Sequence, residues 1–347
     1  MAINKSVIFV DNEYINGKEE FGRNTDYYNI YLSLKEIFSQ VSLFDYDAEK
    51  ERLGREKMNE ELLQTVKKEK PDLVIIVLCS DDFEADVLDQ IKALTTSIFY
   101  AYDDMWRTDF VARWAPHFTY MTTSYIKGVE NLKKVGIHNA VYLSLGCNHL
   151  AYPKTDTAKE YEVSFIGSYH PHRAWLVKWL RRAGIDVYAC GWGWDGTKKL
   201  VSHEEKVKIM NASKINLNLN NEVCWDMRYM LSSPRAFINT FRSDKTYAPI
   251  NVRIFEINSC GGFQVLPYME GLEQRYKIGE ELIVFDRPEQ LVEQVKYYLK
   301  NDAERDAIAL QGYKRTLAEH TMERRFYEMI EPLDPPQIPA KNKTQES

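Results

Sequence analysis

The sequence predicts an α/β protein built from two doubly wound parallel units, one after the other, facing a cleft. Three observations predict it. The chain has 347 residues, more than one α/β core ordinarily holds. Short β-branched runs alternate with amphipathic segments along both halves, the pattern of βαβ units. Between the halves, residues 146–159 (GCNHLAYPKTDTAK) lose periodicity and carry Pro, Thr and Asp, which marks a linker. The expected organisation is a unit over 1–150, a unit over 151–331, and an extended or disordered tail over 332–347 that lacks core-forming residues.

In the first half, residues 6–10 form a short apolar strand. Residues 24–39 carry Tyr27, Ile30, Tyr31, Leu34, Ile37 and Phe38 at helical spacing. A strand at 41–44 and a charged helix at 56–69, stopped before Pro71, come next. The run LVIIVLC at 73–79 suits a parallel strand covered on both faces. Helix 84–94, strands 97–102 and 118–122, a helix from Ser124 to Val135 and a strand at 139–145 complete the unit. In the second half, strands are expected at 162–167, 185–190, 215–219, 263–267 and 282–285. Helices are expected at 172–183, 204–212, 252–259, 288–300, 303–319 and 321–330, with an irregular segment over 221–249.

Composition narrows the function. A chain that is 44% hydrophobic and 28% charged can bury two cores. Its net charge of −6 argues against an extended nucleic-acid footprint, which needs surplus Lys and Arg. No apolar run approaches the ~20 residues of a membrane span, and MAINKSVIFVDNE is too brief for a signal peptide. Cys79, Cys147, Cys190, Cys224 and Cys260 are dispersed without a CxxC pair, which points to a reducing, cytoplasmic setting and away from zinc.

The most informative stretch is 251–267, NVRIFEINSCGGFQVLP. A helix bearing Glu256 ends at Cys260, and Gly261 and Gly262 permit positive φ and a close backbone approach as the next strand begins, so both are expected among the nucleotide-binding residues. An acidic residue in the crevice of a doubly wound sheet can accept hydrogen bonds from ribose hydroxyls. The loop CGWGWDG at 190–196, with Gly191, follows a strand and suits a nucleobase edge; Asn218, at another strand end, is expected to reach the same nucleotide. In the first half, two acidic tips project from strand ends that share one side of the sheet. One carries Glu13, the other Asp103 and Asp104, and either offers a carboxylate to take an acceptor proton. His117 and His149 read as structural.

The order R-x-F-E-I-x-x-C-G-G-F, G-L-E, K-I-G-E-E-L-I-V-F, N-D-x-E-R and G-Y-x-R-x-L-x-E-H-T-x-x-x-R resembles the CgeB-like glycosyltransferases, over Glu162 to about Arg325. The first half resembles that family only loosely. The resemblance implies a GT-B-like pair of Rossmann-type domains, acceptor side first and donor side second. It implies sugar transfer from a nucleoside-diphosphate sugar. Glu256 matches the second glutamate of an E-x7-E motif that holds the donor ribose. The first glutamate falls at Ala248, a departure that leaves the sugar-ring contact unassigned. Gly167 matches the glycine that ends the first donor-side strand, and Arg173 stands where relatives carry a diphosphate-binding lysine. Ser168 replaces an arginine, leaving Arg253 and His170 to supply positive charge. The DD-x-W pattern of the family favours Asp104 on the acceptor side. No cofactor or metal is expected, because no paired carboxylate stands among the phosphate residues. The acceptor (glycan, protein, small molecule or modified nucleobase) and the oligomeric state stay open. The alternatives are a nucleotide-sugar-binding protein without turnover and a phage-type enzyme acting on DNA bases. A nucleotide-dependent oxidoreductase is disfavoured by the missing GxGxxG after residues 6–10.

Overall fold

The structure is a computed structural model and describes residues 3–102, 104–196, 199–243, 245 and 249–330. Asp103, Ala248 and the tail 332–347 lie outside the described residues.

The first six strands are β1 (Ile3–Asp11), β2 (Phe38–Asp45), β3 (Leu73–Val77), β4 (Thr96–Tyr100), β5 (Tyr120–Thr123) and β6 (Ala140–Tyr142). They form one parallel sheet in the order β2-β1-β3-β4-β5-β6. A second parallel sheet has the order β11-β10-β9-β7-β8, from β7 (Tyr161–Ile166), β8 (Val187–Cys190), β9 (Ser213–Leu217), β10 (Gln264–Pro267) and β11 (Ile283–Phe285). In each sheet the winding reverses beside its first strand, β1 or β7. At such a reversal the loops part and leave a crevice beyond the strand ends.

Both faces of the first sheet are buried, so its strands read as continuous apolar runs. Ile8, Val10, Val74 and Ile76 pack with Met58, Leu62 and Val66 of the helix Arg55–Glu69. Val7, Phe9 and Ile75 pack with Ile30 and Leu34 on the opposite face. That second cluster also takes Met322, Phe326, Met329 and Ile330 from the helix Met322–Ile330. By packing, this last helix therefore lies on the first sheet, although its sequence position follows the second. The two crossings run side by side. The Cys147 amide donates to the His320 carbonyl at 3.2 Å, and the Met322 amide to the Cys147 carbonyl at 2.8 Å. Gly146 makes this approach possible, since a Cβ there would stand 2.8 Å from the His320 carbonyl oxygen.

Three local expectations differ from the structure. The segment expected as helix 24–39 is a π-turn over Tyr27–Tyr31 followed by Leu32–Ile37, and Phe38 already begins β2. Phe38 is buried with Ile30 and Leu34, so its helical spacing reported a shared core rather than a shared helix. The helix expected from Ser124 starts at Gly128. The irregular stretch 221–249 holds two short helices, Met227–Met230 and Pro234–Arg242.

Candidate functional site

The sheets meet across a cleft of about 230 Å3 whose walls include Thr25 from the first half and Gly167, Gly191, Trp192, Lys206, Arg253 and Glu256 from the second. Gly167 follows the end of β7 and Gly191 the end of β8. Gly191 has φ +119°, and a Cβ there would lie 2.6 Å from the Gly167 carbonyl oxygen. A Cβ on Gly167 would in turn lie 2.9 Å from the Phe165 ring and 3.1 Å from Arg253 Nη2. Neither position tolerates a side chain, because two strand ends and a guanidinium converge there.

The helix Val252–Ser259 opens at this point and brings Arg253 and Glu256 to the cleft one turn apart. Glu256 is 1% exposed. Asn29 Nδ2 donates to its Oε1 at 3.0 Å and Lys206 Nζ stands 2.7 Å from its Oε2. Burial pushes this carboxyl up, but Lys206 and the hydrogen bonds from Lys206, Tyr152 and Asn29 outweigh it and hold it below the usual range. Glu256 is thus an ionised acceptor.

Arg173 and Arg253 both lie over the Phe165 ring, with guanidinium carbons 5.5 and 5.6 Å from its centroid. Arg173 Nε donates to the Leu219 carbonyl at 3.0 Å and its Nη1 to the Ser168 carbonyl at 2.9 Å. Arg253 Nη1 donates to Asn218 Oδ1 at 3.1 Å. Burial, then the charge of Arg253, push Arg173 down to about 9. Burial also lowers Arg253, with Glu256 opposing. Among the described residues neither arginine has a carboxylate within ion-pair distance. Two half-buried guanidiniums that repel each other beside a glycine-lined cleft form a ready anion site.

The remaining expected residues divide. Asn218 is fully buried behind Arg253 and orients it. His170 caps the helix Pro171–Arg182, and its Nε2 faces Asn239 Nδ2 at 3.3 Å. Burial, reinforced by Arg173 and Lys245, pushes it down to about 4, so it is neutral near pH 7 and does not add the expected positive charge. Gly261 and Gly262 lie at the far end of the Glu256 helix. A Cβ on Gly261 would meet Lys154 and one on Gly262 would meet Asn216 at 2.7 Å, so both serve the turn and its packing rather than the cleft wall.

On the first half, Asp104 is 2% exposed and accepts from Thr123 Oγ1 at 2.7 Å. Asp104 does not stand among the residues that line the cleft, unlike the equally buried Glu256. Glu13 sits on the loop after β1, paired with Arg23 at 2.8 Å. The acidic residue next to the cleft wall is one the sequence analysis missed, Asp26, adjacent to Thr25. Tyr102 Oη donates to it at 2.8 Å. Burial raises it to about 6, the Tyr102 hydrogen bond opposing and the Glu256 charge adding. Lys206 and Asn29 were missed as well, whereas Trp192 belongs to the 190–196 loop expected at a nucleobase edge. Asn29 left a trace, a polar residue inside the apolar run YYNIY; Lys206 is one of many charges on an amphipathic helix and left none.

Residues 172–331 match the protein family described as Glycosyl transferase-like. HepE of Anabaena, solved in complex with UDP and glucose, superposes with a TM-score of 0.60 at 11% identity, over 96% of this chain and 100% of that one. Sucrose-phosphate synthase of Thermosynechococcus elongatus gives 0.60 at 10% identity over 95% and 99%. The fold is that of a GT-B glycosyltransferase. A glycosyltransferase of Rickettsia africae gives 0.60 at 9% over 96% and 98% of the two chains. No curated protein matches the sequence. Arg253 and Glu256 stand on the wall of the crevice beyond β7 and β8, and Arg173 lies beside Arg253 over the Phe165 ring. Among the described residues, no group of three or more His, Cys, Asp or Glu side chains gathers as a metal site requires, and no helix is long and apolar enough to cross a membrane.

Proposed function

We propose that this protein transfers a sugar from a nucleoside-diphosphate sugar to an acceptor entering from the first half, in the manner of CgeB-like glycosyltransferases. The observation that carries the reading is the pair Arg173 and Arg253, unpaired with any described carboxylate, with Arg253 one helical turn from the ionised Glu256. The diphosphate lies against the guanidiniums and the ribose against Glu256. Negative charge grows on the leaving diphosphate as the glycosidic bond breaks, and fixed guanidiniums stabilise that charge. They do so without metal. Gly167 and Gly191 let the diphosphate approach the backbone, and Trp192 flanks the base. HepE was solved with UDP, which makes a uridine nucleotide the first donor to test. Asp26, raised to about 6, accepts the proton from the acceptor hydroxyl, since a base near the working pH combines ionisation with affinity for the proton. The five cysteines, all free, support a cytoplasmic setting.

Calorimetry and thermal shift against UDP, GDP, dTDP, CMP and ADP test the reading. One nucleoside diphosphate is expected to bind and raise the unfolding temperature, and Arg173→Ala or Arg253→Ala to weaken it. Binding of none of the five would falsify the donor site. Ala248, where relatives carry a glutamate, favours a second reading, binding without turnover. Release of free sugar from the donor by the wild-type protein, lost in Arg253→Ala, decides for the transferase.

A further inference from the structure

The helix Pro234–Arg242 is folded with its large apolar side chains outward. Ser233 Oγ caps it by accepting from the Ala236 amide at 3.1 Å, and Pro234 fills the first turn. The face turned to the protein is small and polar. Ala236 and Thr240 are each 1% exposed, Thr240 Oγ1 donates to the Cys224 carbonyl at 3.2 Å, and Asn239 takes the Tyr229 hydroxyl at 3.0 Å. The opposite face carries Phe237, Ile238 and Phe241, and the preceding loop and helix add Trp225, Met227 and Leu231. These six are 50% to 77% exposed. The rings of Trp225 and Phe241 are 5.8 Å apart, those of Phe237 and Phe241 5.1 Å, so the patch is continuous. A helix that serves only its own fold turns its apolar stripe inward. This one is docked by its small face and offers the stripe to something outside.

Charge indicates what that is. Arg235 and Arg242, about seven residues and two turns apart on the flank of the apolar face, are exposed, and among the described residues neither pairs with a carboxylate. Arg228 on the neighbouring helix is already neutralised by Asp226 at 2.5 Å and by Glu289. The chain as a whole carries −6, so an exposed aromatic patch flanked by two arginines is a local reversal of its character. In a two-fold contact between copies, the same patch meets itself and brings like charges together. An anionic lipid surface takes the apolar side chains below its headgroups and pairs the arginines with phosphates.

We propose that the helix Pro234–Arg242, with Trp225, Met227 and Leu231 beside it, is a peripheral docking surface for an anionic membrane. The helix borders the anion site through the contact of Asn239 with His170, so docking sets the cleft close to the lipid headgroups.

The full-length protein is sedimented with vesicles of phosphatidylcholine containing phosphatidylglycerol, and with vesicles of phosphatidylcholine alone. It should pellet with the anionic vesicles and be released by high salt. The double variant Phe237→Ser, Phe241→Ser should partition at least about tenfold less, and Arg235→Gln, Arg242→Gln roughly tenfold less, both with unfolding temperatures close to wild type because none of these side chains is buried. No sedimentation of the wild type with anionic vesicles overturns the proposal. So does sedimentation that the arginine variant retains in full. A wild-type dimer by analytical ultracentrifugation that the Phe237→Ser, Phe241→Ser protein abolishes assigns the face to a second copy, and overturns it too.

Discussion

Glu256 and Asp26 are carboxylic acids in one cleft that burial treats alike and neighbours treat oppositely. Lys206 keeps Glu256 ionised, whereas Asp26 faces the charge of Glu256 with only the Tyr102 hydroxyl to compensate. The pH dependences therefore have opposite signs. The Glu256 carboxyl, lowered on folding, contributes stability above the unfolded carboxylate range near 4.3, and that stability is lost as pH falls through the folded value. Glu256→Gln should cost about 2 to 4 kcal/mol at pH 7 by leaving Lys206 without its charge partner, with the deficit shrinking in acid. It should also weaken nucleotide binding by about tenfold or more. Denaturant unfolding at several pH values and calorimetry check the two parts. Asp26, raised on folding, is favourable when protonated and loses that contribution as pH rises through about 6. Asp26→Asn should be more stable than wild type at pH 7 to 8, by about 1 to 3 kcal/mol, and the gain should vanish below pH 4. If Asp26 is the proton acceptor, transfer falls in the variant while donor affinity holds. Equal transfer by both proteins removes it from the mechanism.

At the scale of elements, what decides the site is where strands and helices end. The order of strands and helices was legible because β-branched runs and helical spacing respond to burial, and burial here is regular. Glu256 stood out through the turn that follows it, and it lines the cleft. The roles of Gly261 and Gly262 were misread from the same signal, since a glycine pair at a helix end serves a turn and a ligand equally well in one dimension. Gly191 separates the two cases physically. Its φ of +119° and a clash with the Gly167 backbone lie at the cleft wall, while Gly262 clashes with Asn216 inside the sheet. Both Gly191→Ala and Gly262→Ala should destabilise the fold, by about 2 to 4 kcal/mol from strain and overpacking. Only Gly191→Ala should also lower nucleotide affinity, as measured by calorimetry below the unfolding temperature. Asp104 shows the reverse difficulty. A strand-end carboxylate looks available in the sequence, but the Thr123 hydroxyl and burial occupy it. Asn29 and Lys206 meet Glu256 from elements 227 and 50 positions away in sequence, a distance no local pattern encodes.

Across the whole molecule, the cleft is made by a chain that crosses between two sheets and returns, so its walls move only as far as the paired crossings at Cys147 and His320 allow. Thr25 and Asn29 come from one side, the arginines from the other, and a ligand between them stabilises both. At a free nucleotide concentration a hundred times Kd, the folded state should gain about 2.7 kcal/mol. The electrostatics of that association follow from a contrast of scale. The body carries −6 and repels an anion at long range, while Arg173 and Arg253 attract it at contact. Salt screens the exposed, long-range repulsion and the half-buried pairing unequally, because charges taken from water are screened less. The contact term is the stronger, so affinity for the nucleoside diphosphate should still fall as salt rises. The fall should be shallower in Arg173→Ala and Arg253→Ala, which have less to screen. If guanidiniums neutralise the diphosphate, binding should be unchanged in excess EDTA, and transfer should persist there. Calorimetry across a salt series, with and without EDTA, measures both. Affinity abolished by EDTA and restored by Mn2+ would return neutralisation to a cation held by carboxylates, and the arginine pair would lose its assigned part in the reaction.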